Sequence, residues 1–381
     1  MKESFRNIGK YALRATIIAA ATVAILLTFS FSLNTDWLEA EKLVAEQLQF
    51  SDLFFHWHSH NNLPDGRNVY VLDISNLSDR EEQAAFFEQL TEAKPYMVAL
   101  DIVYSKNSES DSAVDHRLAE AVNKLPNLVL EKEYRKGKGC LSSYFADGSQ
   151  QEALSNLSSY IIRDWKANDI INGDTLPTFA AVIAQKMGAY VPNDSKERLI
   201  DYSICDTNYI KLDTSHYDLT MFENEVVIVG DVADLRDTRV VPFTHQPSMR
   251  TSGIMVHKQI VQTIIAQNWI RPISAIWNWI IVFVILWVFV FVDSIIPAIV
   301  NMSKNIQNAI INVIKTLTIL LMIFIAYIVF WNAHLSINIW GAILAPIALW
   351  MGNIVIEFSQ LSIFWVKRLI QLFPKIKIRK K

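Results

Sequence analysis

Long apolar runs lie near the two ends of this chain, and shorter apolar runs mixed with polar residues fill the middle. Four mostly apolar stretches cover residues 15–33, 273–292, 310–331 and 337–356. Each is close to the roughly 20 residues that cross a hydrocarbon core as a helix. The pattern therefore predicts one N-terminal and three C-terminal transmembrane helices, which flank a polar region at 34–272.

The region at 34–272 alternates between strand-like and helix-like patterns. Short apolar runs predict buried strands, and apolar residues at helical spacing predict helices between them. The predicted strands are 68–75, 95–104, 127–134 and 226–230, and the predicted helices are 36–50, 79–92, 111–123, 175–189 (with Pro177 in its first turn) and 253–267. Strands separated by helices of 10–15 residues indicate βαβ units and a parallel sheet. Helix 36–50 is expected to pack on the domain or on a second copy of the chain.

The charges beside the apolar stretches predict the orientation. Lys2, Arg6, Lys10 and Arg14 precede the first stretch, and a basic tail at 357–381 follows the last. Because positive residues flank membrane helices on the cytoplasmic side, segments 1–14 and 357–381 are predicted to be cytoplasmic. The predicted fold is thus an α/β extracytoplasmic domain with a mainly parallel sheet, in a multi-pass protein of the inner (plasma) membrane. The first stretch could instead be a cleaved signal peptide, although no clear cleavage site follows it.

Composition narrows the function classes further. The chain has 381 residues, is 51% hydrophobic and 19% charged, and carries a net charge of −3. This charge provides no basic field for nucleic acid, so no nucleic-acid partner is expected. Cys140 and Cys205 both fall in the outside region, where a disulfide can form. Sequence alone leaves their pairing open.

Acidic residues follow several predicted strands. Asp73, Asp101 and Asp231 lie at or near the carboxyl ends of strands, where open α/β sheets bind ligands. Asp237 lies in the loop after the last strand. Such carboxylates could bind a hard cation, a polyamine-like molecule or a sugar. They could equally cap helices and close turns, as aspartates often do.

Histidines provide a second set of candidates. If the segment at 56–60 is extended, His56, His58 and His60 share one face and could bind zinc, although a solvent-facing strand explains them better. His257, on the predicted closing helix, could reach the acidic crevice or be held structurally. No metal or cofactor is expected. The sequence contains no GxSxG or HExxH motif, so no enzyme activity is expected either.

Several segments resemble the CHASE2 family of extracytoplasmic sensor domains. Asp52, Leu53 and Phe55 are similar to its opening D-L-x-F segment, and Asp73 with Ser75 matches its first strand end. VALDIVY with Asp101 resembles the second strand. The last block of the family is matched by Gly230, Asp237, Thr238, Pro242, Gly253 and His257. The sequence departs at Lys258, where the family usually has alanine, and lacks the family's Trp/Pro/Arg-rich segment.

The resemblance implies a membrane-anchored sensor. Its outside domain would detect a small molecule or protein and relay the signal through the C-terminal helices. Since the chain ends at Lys381 without a kinase or cyclase pattern, the output is expected from a separate signalling partner. Membrane lipid and a second copy of the chain are the other expected partners. The expected ligand-binding residues are Asp73, Ser75, Asp101, Asp231, Asp237 and His257. The alternative is a structural or pore-forming membrane effector whose assembly the outside domain regulates.

Overall fold

The computed structural model describes residues 2–32, 50–57, 66–77, 79–105, 112–146, 148–157, 161–204, 208–212, 218–242, 250–267 and 269–337. The predictions for helix 36–49, His58, His60, Cys205, nearly all of the span at 337–356 and the tail lie outside these residues. The chain divides into two compact units. One contains Met1–Ala45, Ile273–Val329 and Ile337–Lys381, and the other contains Glu46–Pro272 and Phe330–Ser336.

The helices and strands follow the predicted order closely. The helices are α1 (Lys2–Ser32), α2 (Phe50–Trp57), α3 (Arg80–Glu92), α4 (Ser112–Asn123), α5 (Phe179–Lys186), α6 (Gly253–Ala266), α7 (Ala275–Ile299) and α8 (Lys304–Ala333). The strands are β1 (Val69–Asp73), β2 (Met97–Leu100), β3 (Val129–Arg135), β4 (Gly139–Ser142), β5 (Gln151–Leu154), β6 (Asp164–Trp165), β7 (Asn168–Ile171), β8 (Asp174–Pro177), β9 (Arg198–Leu199), β10 (Ile210–Lys211), β11 (Val226–Gly230), β12 (Thr238–Val240), β13 (Arg250–Ser252), β14 (Arg271–Pro272) and β15 (Leu335–Ser336).

The second unit is built on a seven-stranded sheet in the order β10-β1-β11-β2-β3-β4, with β5 also beside β3. All pairings are parallel except that between β3 and β4. The mainly parallel sheet predicted from the sequence is therefore confirmed. All five residues of β11 are buried, as expected for a central parallel strand that is covered on both faces.

Helices cover both faces of this sheet. On one face α3 and α4 pack against each other, and their apolar residues join a core with Leu72, Leu100 and Val229. An ion pair between Arg80 and Asp115 also connects these two helices. On the other face α5 packs against α6, α5 contacts β3 and β5, and α6 contacts β1 and β11. The closing helix predicted at 253–267 thus lies against the neighbouring strands β1 and β11.

Helix α2 corrects the expected extended conformation around His56. The segment Phe50–Trp57 is helical, so His56 does not lie in the extended strand that the three-histidine zinc face requires. Phe54 and Phe55 are buried against the Phe330 ring, with centroids at 5.3 and 5.1 Å. Adjacent aromatic residues that are both buried are incompatible with a strand that alternates between core and solvent.

A hairpin corrects the predicted start of the helix at 175–189. Strands β7 and β8 pair antiparallel, and Asn172 and Gly173 between them have φ of 54° and 95°. An Asn-Gly pair with two positive φ angles is the favoured two-residue hairpin turn. Pro177 therefore pairs with Asn168 in the hairpin and does not lie in the first helical turn. Helix α5 begins two residues later, at Phe179.

The first unit contains α1, α7 and α8 as far as Val329. Two described helices, α7 and α8, are long and apolar enough to cross a membrane, with mean hydropathies of 2.8 and 2.5. Helix α1 packs on α7, and its small residues Ala15 and Ala19 are fully buried. Small residues allow such close approach of helices. The Lys315 ammonium of α8 pairs with Asp293 of α7 at 2.7 Å.

Candidate ligand-binding site at the carboxyl edge of the sheet

Asp73, at the end of β1, holds the neighbouring loops together. Its Oδ1 accepts the backbone N–H groups of Ser75 at 3.0 Å and of Val232 at 3.1 Å. The carboxylate is almost fully buried. These bonds close a turn after β1 and fasten the loop after β11, which is the turn-forming role that the sequence left open. The Ser75 hydroxyl is buried and has no hydrogen-bond partner in the described part of the chain.

Asp73 and Asp101 follow strands that lie on opposite sides of β11, and Asp231 directly follows β11 itself. Asp231 is exposed and accepts the N–H of Ala233 at 2.8 Å, which forms a local turn. Asp101 follows β2, on the other side of β11 from Asp73. Gly230, at the end of β11, has no room for a side chain, since a Cβ atom would lie 2.8 Å from Ile254 Cδ1 and 3.3 Å from Asp101 Cβ.

Asp101 joins Glu131, Asp237 and Arg239 in what we call the carboxylate cluster. Burial raises the pKa of Asp101 well above its ordinary range, and the nearby Glu131 and Asp237 raise it further, while Arg239 opposes them. Burial likewise raises the pKa of Glu131 to about 7, against the effect of a 2.6 Å hydrogen bond from the Ser155 hydroxyl. Asp101 and Glu131 therefore bind their protons more tightly than surface carboxyls do.

Asp237 is the best-connected member of the cluster. One of its oxygens lies 2.8 Å from Arg239 Nη2, and the other accepts the N–H of Gly253 at 2.8 Å. Burial raises the pKa of Asp237, and the Arg239 guanidinium opposes this rise. Because Gly253 is the first residue of α6, the carboxylate lies at the positive end of that helix.

His257, on α6, links the carboxylate cluster to a cavity. Its Nε2 lies 4.0 Å from Asp101 Oδ1, and its ring packs edge-on against Phe179. Burial lowers the pKa of His257 to about 4, and the Ser155 carbonyl partly opposes this effect. The imidazole is therefore neutral at pH 7 and makes no ion pair with Asp101 there.

The cavity that His257 lines has a volume of about 130 Å³. Its polar wall includes Asp164 and Trp165 of β6, Lys166, and Glu197. Burial raises the pKa of Asp164 to about 6, and Glu197 adds to this rise while Arg163 and Lys166 reduce it. Apolar side chains complete the wall, among them Leu154, Ile162 and Ile260. This cavity is smaller than the usual site for a drug-sized ligand, so it can enclose only a molecule of a few non-hydrogen atoms.

The family model of the CHASE2 domain matches residues 19–295. The chain belongs to the CHASE2 family. CHASE2 domains are extracytoplasmic sensor domains, so this chain has a sensory role. A search of curated proteins and a search of solved structures each gave no match.

The CHASE2 match runs from within α1, across the whole described α/β domain, and into α7. It includes both the carboxylate cluster and the cavity. In the ranges that the structure describes, no group of three or more His, Cys, Asp or Glu residues has the arrangement of a metal site.

Sequence reasoning missed four residues of this CHASE2 domain: Glu131, Arg239, Asp164 and Trp165. The first could have been found from strand order, because Leu100 pairs with Leu130 and the residues that follow them are Asp101 and Glu131. The sequence showed a parallel sheet but did not show that β2 and β3 were neighbours in this register. The signal for Asp164 and Trp165 was weaker, since β6 is only two residues long.

Proposed function

We propose that this CHASE2 domain detects a small extracytoplasmic signal and transmits it through the C-terminal membrane helices to an output protein. In this proposal the domain acts by binding and not by catalysis, and both termini lie in the cytoplasm. Asp101, Asp237 and His257 form the inner side of the signal site. Asp73, Ser75 and Asp231 hold the loops beside it.

The observation that carries the proposal is a continuous series of contacts from the cavity wall toward the start of α7. Strand β6, which contributes Asp164 and Trp165 to the wall, pairs with β9. The backbone N–H of Leu199 in β9 then donates to the carbonyl of Ile270 at 3.0 Å. Only four residues separate Ile270 from the first residue of α7 in the sequence. A shift of β6 therefore has a short, hydrogen-bonded route to the membrane helix.

Side chains reinforce this route. The buried guanidinium of Arg198 lies over the rings of both Trp165 and Trp269, at 5.4 and 5.5 Å. The two indole rings also pack edge to face with centroids 5.7 Å apart. Arg198 is held in this position by Asp194, which accepts two hydrogen bonds at 2.8 and 2.9 Å. A planar guanidinium that is both stacked and bidentate transmits a displacement better than a flexible ammonium.

The segments just before α7 and just after α8 pair with each other as a small two-stranded ribbon. Strand β14, just before α7, pairs in parallel with β15, just after α8. The N–H of Arg271 adds a bond to the carbonyl of His334 at 2.9 Å. A change at Ile270 therefore affects the connections to both helices. Transmission requires that the signal bind one arrangement of this ribbon more tightly than another.

The proposal is tested by photo-crosslinking in cells with the full chain. A photoreactive amino acid replaces exposed apolar residues of α8, namely Leu317, Leu320 and Phe324. We expect one output protein to be captured, with a yield that changes when Arg198→Lys weakens the connection between Trp165 and Trp269. Glu120→Gln, on the exposed surface of α4, is the matched control and should leave the yield unchanged. Crosslinks that contain only this chain, or an output yield that ignores Arg198→Lys, would contradict the proposal.

A further inference from the structure

We infer that the cavity beside His257 binds a small organic amine that is cationic at neutral pH and carries a hydrogen-bond acceptor. This inference rests on the proposed function only in treating that amine as the signal. Binding itself is measurable without any output protein.

The cavity size limits the ligand. An apolar cavity of about 150 Å³ accommodates a ring of roughly six carbon atoms. At about 130 Å³ this cavity therefore suits a ligand of about six non-hydrogen atoms. A nucleotide or an oligosaccharide is too large to be enclosed by it.

The charge of the wall favours a cation. Asp164, Asp169 and Glu197 provide three carboxylates, whereas Lys166 provides one ammonium group and His257 is neutral at pH 7. Lys166 lies 3.4 Å from Glu197 and 3.9 Å from Asp169, so its charge is already balanced. Asp164 forms no ion pair with any residue that the structure describes. A ligand ammonium beside Asp164 would neutralise a carboxylate that is costly to bury alone.

An unpartnered donor provides the second, independent observation. Trp165 is only 3% exposed, and its indole Nε1 has no hydrogen-bond partner among the described residues. A buried N–H group without an acceptor costs free energy, which a ligand oxygen or nitrogen in the cavity would recover. Arg198, whose guanidinium stacks on the Trp165 ring, pairs with Asp194 through both of its terminal nitrogens. The site thus offers one carboxylate and one N–H donor to the same small molecule.

The test uses the full chain, purified in detergent, with three linear probes of matched size. Aminobutanol has a terminal ammonium and a terminal hydroxyl, pentylamine has the ammonium alone, and butanediol has hydroxyls without charge. We expect aminobutanol to bind in calorimetry and to raise the Tm in a dose-dependent way. Pentylamine should bind more weakly, and butanediol should not bind. Equal binding of butanediol and aminobutanol, or no binding of either amine, would overturn the inference.

Two variants assign the contacts. Asp164→Asn should reduce aminobutanol affinity by roughly 30-fold or more, because the charge partner is lost. Trp165→Phe keeps the ring shape but removes the N–H, so aminobutanol should then bind no better than pentylamine. Glu120→Gln is the control and should bind like the wild type. If Asp164→Asn fails to fold, the Trp165→Phe comparison still decides, since undiminished preference for aminobutanol contradicts the inference. Amine binding without an effect on crosslinking at α8 would leave the site intact and contradict only the proposed relay.

Discussion

The Asp237 carboxylate and the backbone of Gly253 are in direct contact at the start of α6. Asp237 Oδ2 accepts the Gly253 N–H at 2.8 Å, and a side-chain carbon on Gly253 would overlap that carboxylate. Because residue 253 is a glycine, the loop that follows β11 can bind the first turn of α6 through Asp237. Helix α6 packs on the same strand, β11. This contact joins the carboxylate cluster to the helix that carries His257.

Replacement of Gly253 by alanine should destabilise the protein. The new methyl group forces the Asp237 carboxylate away from the helix end, at a cost of about 1–3 kcal/mol for overpacking. In a domain of this size we expect the Tm of the purified full chain to fall by roughly 3–10 °C.

Gly9→Ala is the matched control for this prediction, because Gly9 is also helical and has open space where a Cβ atom would lie. It should leave the Tm unchanged or raise it slightly, since alanine favours the helix. In an Asp237→Ala background the penalty of Gly253→Ala should shrink. A penalty of full size in that background would show that the carboxylate is not its cause.

The buried ion pair between Asp52 and Arg163 should contribute strongly to stability. Arg163 Nη2 lies 2.9 Å from Asp52 Oδ2, and both side chains are nearly inaccessible to solvent. Asp52→Ala leaves an unpaired buried cation, which costs about 3–5 kcal/mol. We expect a fall in Tm of roughly 10 °C or more in the full chain. The exposed pair of Glu120 and Lys124 is the control, and its loss should cost no more than about 0.5 kcal/mol.

Glu131→Gln should stabilise the protein in alkaline solution. The folded-state pKa of Glu131 is raised to about 7, so the folded protein binds this proton more tightly than the unfolded chain does. The contribution of this proton to the free energy of unfolding is therefore fully present below the ordinary pKa near 4.5. It is lost as the pH rises toward 7. At pH 8 the neutral amide should be more stable than the carboxylate by about 2 kcal/mol. At pH 4.5 the two proteins should unfold at similar temperatures.

Comparing the Glu131→Gln variant with the wild type separates the effect of Glu131 titration on stability from the effects of the neighbouring titratable groups. Asp101, Asp237, Glu133 and Arg135 all act on the Glu131 carboxyl or are affected by it. His257 titrates in the opposite sense, because its lowered pKa makes stability rise with pH between about 4 and 6.5. The measured quantity is therefore the difference in Tm between variant and wild type across pH. A difference that does not grow with pH would contradict the raised pKa.

Cys140 provides a test of the membrane topology. It is a free, exposed thiol on β4, in the domain that family membership places outside the cytoplasm. In a Cys205→Ser background, a membrane-impermeant maleimide should label intact spheroplasts at Cys140, and Cys140→Ser should abolish the signal. A tag at the C-terminus should resist added protease until the membrane is opened. Labelling that requires lysis, or a tag cleaved in intact spheroplasts, would reverse the proposed orientation.

Much of the architecture follows from local patterns in the sequence. The run VVIVG in β11 is apolar at nearly every position, and this marks a parallel strand covered on both faces. Asp79 before α3 illustrates how local the helix signals are, since its carboxylate accepts the N–H of Glu82 at 2.7 Å. Periodicity and capping depend on residues a few positions apart, so they can be recognised from the sequence alone. The Asn172-Gly173 turn was equally local but was overlooked beside Pro177.

The sequence by itself determined the central strands, the covering helices, the apolar segments at both ends and the acidic character of the loops after the strands. The tertiary structure alone decided which acids meet. Asp73 and Asp101 have the same place in the sequence pattern, yet one closes turns and the other adjoins Glu131 and His257. The same holds for Trp165, whose neighbour Trp269 is more than one hundred residues away in the chain. Strand order and register bring such residues together, and they depend on the packing of the whole domain, which no local pattern encodes.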